Sequence, residues 1–159
     1  MIMSNDTSDP VWWEAYHGRR YRYLIDTMRD YYEPWDDIAV FGASLETSHI
    51  QAAFPSSAVD SYGLPLPPNF PVENLIELDL NKPVRLTKRY GIGVCCEVVE
   101  HLNRPVFDVV DDLLRYCKIV VVQPDIHAFP FSPDTERQRK RKGNERVRII
   151  ALGIPKRKF

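Results

Sequence analysis

Cysteine is scarce in this 159-residue chain, and the three present do not pair up as a framework. Cys95 and Cys96 are neighbours in an apolar run, and Cys117 closes an apolar helical pattern. Adjacent strand residues point to opposite faces, so the spacing suits neither a disulfide scaffold nor a zinc site and predicts buried thiols. Long apolar runs are also missing: none nears the roughly 20 residues that span a bilayer. The opening Met1-Ile2-Met3-Ser4-Asn5-Asp6 has neither the basic region nor the apolar stretch of a signal peptide, so the expected location is the cytoplasm. Net charge is only −1, which excludes a uniformly basic or acidic chain. An apolar content of 44% and a charged content of 27% are ordinary for a globular domain, and the length suits one domain with a proper core.

The charge is unevenly spread. From Asp134 onward ten Lys or Arg face three acids, while the preceding residues carry eleven basic and nineteen acidic side chains. Residues 133–145 read as a basic loop and 155–159 as a basic tail, after a polar, loose segment at 1–9. The Lys and Arg residues of 137–148 fit an anionic partner through phosphate-like contacts, or simply a solvated loop. Few aromatics accompany them, so base stacking is not indicated.

Helical and extended patterns alternate along the rest. Asp9-Pro10 reads as an N-cap followed by proline at the first helical position, and Trp13, Tyr16, Tyr23, Leu24 and Met28 recur at near-helical spacing, predicting a helix over 10–31. Its aromatic stripe suits a core face or a partner surface. Ile38-Ala39-Val40-Phe41-Gly42 reads as a buried strand, and 43–53 as a short helix with Ser44 as a possible cap. Ala58-Val59 begins a second strand ending near Asp60. The proline-rich stretch 63–71 is a loop or a polyproline ligand, because proline offers no amide donor.

Strands are further predicted over 75–80, 92–96, 119–122 and 146–154. Val106, Val109, Val110, Leu113, Leu114 and Cys117 lie at offsets of three, four, seven, eight and eleven, a one-sided helix. Uncharged and β-branched strands between helices indicate a doubly wound, mostly parallel α/β sheet in a three-layer sandwich, with five parallel strands plus one terminal strand.

The stretch Glu97-Val98-Val99-Glu100-His101-Leu102, at the end of the fourth predicted strand, carries the most chemistry. With the order of elements over roughly 12–124, it resembles the class I S-adenosylmethionine-dependent methyltransferases, whose members on small molecules, quinones and sugars share Glu-Val-x-Glu-His-Leu. The resemblance implies a Rossmann-like methyltransferase fold, S-adenosylmethionine as cofactor and a small-molecule or glycan-like acceptor. It also implies cofactor-binding roles for Gly42, Asp60, Asp79, Cys96 and Glu97. Gly42 matches the first glycine of the family's loop, Asp60 the acid that accepts from the ribose hydroxyls, and Asp79 the acid that contacts the adenine amino group.

Three positions depart from that pattern. Val40 stands where the first-strand acid belongs, and Ser44 and Glu46 where later glycines belong. A Glu46 side chain is expected to crowd the cofactor pocket and add negative charge to it. These departures suggest the alternative of a catalytically inactive methyltransferase-like binding or assembly module. Among candidate catalytic groups, His101 suits a general base or a support for the loop above the cofactor, and His127 lies where it can approach substrate. Glu97 and Glu100 form a carboxylate pair or cap the following helix.

Overall fold

The computed structural model describes residues 10–68, 70, 72–96, 98–123, 135–140 and 146–151. His127, Glu97, the loose segment 1–9 and the basic tail 155–159 lie outside the described residues. Element order is α1 (Pro10–Tyr31), β1 (Ile38–Phe41), α2 (Glu46–Ala53), β2 (Val59–Gly63), β3 (Ile76–Glu77), β4 (Tyr90–Cys96), a 3-10 turn (Val99–His101), α3 (Val106–Leu113), β5 (Cys117–Gln123), β6 (Thr135–Lys140) and β7 (Arg146–Ala151).

One seven-stranded sheet runs in the order β3-β2-β1-β4-β5-β7-β6. Every neighbouring pair is parallel except β6 with β7. From β1 the chain moves outward through α2 to β2. From β4 it moves the other way through α3 to β5. The strand order therefore reverses between β1 and β4, and an open α/β sheet has its ligand crevice at such a reversal, beyond the carboxyl ends of the strands.

Side-chain alternation along the central strands divides the core into two layers. Ala39, Phe41 and Cys95 face Val109, Val110 and Leu113 of α3. Ile38, Val40, Ile92, Val94 and Cys96 face Leu24, Ile25 and Met28 of α1 and Ile50 of α2. The α3 stripe inserts its valines into one layer, and the second half of α1 fills the other. The two adjacent cysteines thus enter different cores, as the alternation requires, and all three cysteines are buried and in no disulfide.

The structure corrects four expectations. β2 extends three residues past Asp60, so Asp60 is second from its amino end and not near its finish. The predicted strand over 75–80 shrinks to Ile76–Glu77, because the backbone turns at Asp79, whose Oδ1 accepts from Asn81 N at 2.9 Å. Cys117 opens β5 instead of closing the helix, since α3 ends at Leu113. The expected basic loop over 133–145 contains β6, so the carboxyl-terminal part is an antiparallel hairpin and not a single strand. An edge strand with charged residues resists pairing with other chains, which accounts for its loop-like composition. Among the described residues no helix is long and apolar enough to cross a membrane.

Candidate functional site at the carboxyl edge of the sheet

Gly42 follows directly on β1 and adopts φ +67°. That left-handed conformation is easy only without a Cβ. A Cβ here would overlap Val98 Cγ2 and lie 3.0 Å from Cγ1. The turn after β1 and the 97–102 motif after β4 are therefore packed onto one another at the strand-order reversal. Ala43 N donates to Tyr62 O at 2.9 Å, which fastens the same turn to β2.

Glu46 opens α2. Its side chain is 2% exposed and folds back over the start of α2, where Oε1 accepts from Ser44 N at 2.9 Å. Ser44 is thus held through its backbone amide, and no side-chain cap closes α2. Burial raises the Glu46 carboxyl to about 7, against the opposing pull of hydrogen bonds from its own amide and that of Ser44. The carboxylate meets amides that an exposed helix start would otherwise leave to water or a ligand. Val40 is fully buried against the α1 side, which is why an acid would not be tolerated in its place.

On the other side of the crevice Asp79 is half-buried, and its second carboxylate oxygen has no partner among the described residues. Asn81 links this turn to the motif: its Oδ1 accepts from Asn103 N at 2.7 Å. Arg104 reinforces the link, donating to Lys82 O at 2.9 Å and to the Asp112 carboxylate of α3, also at 2.9 Å. Cys96 ends β4 with its thiol donating to Gln123 Oε1 at 3.3 Å, while Gln123 Nε2 donates to Arg20 O. His101 closes the 3-10 turn and is exposed, its amide bonded to Val98 O at 3.0 Å.

Asp60 belongs elsewhere. It pairs in register with Ala39, below Phe41 and Gly42, and its carboxylate serves a network at the other end of the strand. Oδ2 accepts from the Tyr90 hydroxyl at 2.7 Å and from Lys88 at 3.2 Å. Lys88 also pairs with Asp37 at 2.9 Å, and these partners, Asp37 foremost, raise its ammonium pKa. Tyr90 shares a hydrogen bond with the Tyr62 hydroxyl. Burial, then Tyr62 and Asp60, push its own ionisation upward.

The structure thus packs Gly42 against Val98, ties the Asp79 turn to Asn103 through Asn81, and sets Asp60 in a network with Lys88 and Tyr90. Sequence reasoning missed Asn81, Arg104, Tyr62 and Tyr90. The Asp79-Leu80-Asn81 spacing is a turn signal that marks the first of these. The tyrosines carry no local signal, because their partners are 28 and 30 residues away.

The architecture is a methyltransferase-like α/β fold. The structure is similar to that of the sugar N-methyltransferase KedS8 from Streptoalloteichus sp ATCC 53650, with a TM-score of 0.53 and 12% sequence identity. The match covers 90% of this chain and 65% of that one, so this chain spans less than two thirds of that protein's length. At that identity the likeness shows the fold alone. No family model matches the sequence, and no curated protein sequence matches it.

Proposed function

We propose that the chain binds S-adenosylmethionine at the carboxyl edge and supports methyl transfer to a small-molecule or glycan-like acceptor. The observation that carries this reading is the packing of Gly42 beneath Val98 at the strand-order reversal. It joins the two sequence features of the family resemblance at the place where such sheets bind ligands. The sugar N-methyltransferase with a similar fold supports the acceptor class.

The residues present fit such a cofactor. Gly42 leaves the turn bare of side chain, Glu46 is turned inward, and Asp79 keeps a carboxylate oxygen available to an amino donor. Bound S-adenosylmethionine supplies a methyl group already activated on its sulfonium. The protein's share is then alignment: Gly42 and Cys96 hold the crevice walls, Asp79 orients, and Val98 excludes water from the turn. Glu97 stays a candidate on the cofactor side, and His101 and His127 stay candidates for acceptor-side work.

A second reading, an inactive binding or assembly module with this fold, draws on Val40 and on the engagement of Asp60 with Tyr90 and Lys88. Backbone amide NMR with added S-adenosylhomocysteine separates the two. The enzyme reading expects shifts concentrated at Gly42, Asp79 and Cys96. Unmoved signals there at millimolar ligand favour the module.

A further inference from the structure

The β6–β7 hairpin gathers positive charge at one flank of the sheet. β6 is the outermost strand, and β7 joins it to β5. Residues directly opposite in a ladder share a face, and successive residues alternate between faces. Lys140 is opposite Arg146, and Gln138 is opposite Arg148, so these four share one face. Ile119, the β5 partner of Arg148, packs in the α1 layer, which fixes that face as the α1 side. Arg137 and Arg139, opposite Ile149 and Val147, share the α3 side. Arg146 opens β7, which runs parallel to β5, so the cluster lies toward the amino edge, away from the Gly42 crevice.

Like charges directly opposite one another destabilise a strand pair. Lys140 and Arg146 are such a pair, and Arg148 is the diagonal neighbour on the same face. Glu136, the one acid of the two strands, is four residues from Lys140, or about 14 Å along β6, beyond the roughly 10 Å reach of an exposed charge in salt. Protection of an edge strand needs charge of either sign, so it does not explain cations set against cations. The charge also continues inward along the sheet. Arg115 and Lys118, at the start of β5, are exposed and make no ion pair among the described residues. The hairpin's five cations fall within about 10 Å along the strands. One phosphate monoester carries only about −1.5 to −2, too little to neutralise them. The residues before Asp134, with eleven basic and nineteen acidic side chains, repel the same anion elsewhere on the chain.

We infer that this flank docks the phosphate backbone of a nucleic-acid duplex. A duplex offers one charge per about 1.7 Å of its axis, the density that the hairpin complements. Neither strand holds an aromatic residue on which unpaired bases could stack, so a single strand is the poorer fit. Ile149 and Ile150 continue in register the rows of Val120 and Val121, which leaves the hairpin no apolar side to offer a membrane. Contacts to phosphate carry no base information, so the binding is independent of sequence. The surface stands whether or not the proposed cofactor crevice is loaded.

Fluorescence anisotropy of labelled RNA and DNA duplexes with the full chain tests it. Binding of either duplex supports the proposal, and the tighter of the two names the source. Neutralising about four phosphates makes affinity fall on the order of a hundredfold between about 50 and about 200 mM salt. Lys140→Glu replaces a like-charge pair with an opposite-charge one. It is expected to slow amide exchange across β6 and β7 while weakening the duplex at least tenfold, a combination that unfolding cannot produce. Lys118→Gln, an exposed change on β5, should lower the salt slope by about one. S-adenosylhomocysteine should leave duplex affinity unchanged. No binding of either duplex at about 50 mM salt overturns the proposal. So does tighter binding of a single-stranded oligonucleotide, full affinity in Lys140→Glu, or equal binding to phosphatidylcholine–phosphatidylserine vesicles.

Discussion

Gly42 lies directly beneath Val98, so closely that the glycine's missing Cβ is the space the valine occupies. A turn after β1 and a motif after β4, more than fifty residues apart, are thereby locked into one surface. Gly42→Ala must place a Cβ at φ +67° and inside Val98 at once. Left-handed strain and overpacking together are expected to cost about 2–4 kcal/mol in urea unfolding. Adding Val98→Ala should recover the overpacking part and leave the backbone part, a non-additivity that a double-mutant cycle reads directly.

Glu46 makes stability depend on pH in an unusual direction. Burial pushes its carboxyl up to about 7 in the folded chain, from an ordinary 4.5. Between those values the folded state holds the proton more tightly than the unfolded state. The stabilisation is therefore full below about pH 4.5 and is lost as pH rises through about 7. The loss is on the order of 3 kcal/mol. Glu46→Gln should flatten this slope relative to wild type in unfolding measured between pH 5 and 8.

Arg104 and Asp112 form a largely buried pair at 2.9 Å, and Asp112 also accepts from Val84 N. Removing either partner strands the other. Arg104→Ala or Asp112→Ala is expected to destabilise by about 2–4 kcal/mol in denaturant unfolding. Arg104→Ala additionally frees the Leu80 and Lys82 carbonyls, so it should loosen the Asp79 turn and speed amide exchange at Asn81.

Tyr90→Phe removes the hydroxyl that joins Asp60 to Tyr62. A cost of about 1–2 kcal/mol is expected. Because Asp60 lies at the amino end of β2, Asp60→Asn should lower stability yet leave S-adenosylmethionine affinity unchanged. Calorimetry of the folded variant checks the second half of that expectation.

Much of the fold was legible because its signals are local. Asp9-Pro10 and Glu33-Pro34 bracket α1, which runs from Pro10 to Tyr31 as the spacing predicts. Continuous apolar runs marked β1, β4 and β5, since buried parallel strands need no polar face. Local patterning failed where tertiary context decides. Asp60 looked like a strand end because an acid rarely lies inside a strand, yet Tyr90 and Lys88 satisfy it there. β6, of sequence Thr-Glu-Arg-Gln-Arg-Lys, has no apolar face to announce it, and its pairing with β7 is what makes it a strand. In the site, Gly42 was placed correctly at the turn that follows the apolar run of β1. The inward fold of Glu46 was not, because sequence shows a side chain's charge but not the direction it takes.

Calorimetric titration of the intact chain with S-adenosylmethionine and with S-adenosylhomocysteine tests the central claim most directly. Binding at the carboxyl edge predicts saturable heat in the micromolar range for both ligands, weakened by Asp79→Ala and by Gly42→Ala in its folded fraction. No heat at millimolar ligand, with the chain shown to be folded, would contradict the account and leave the inactive module in its place.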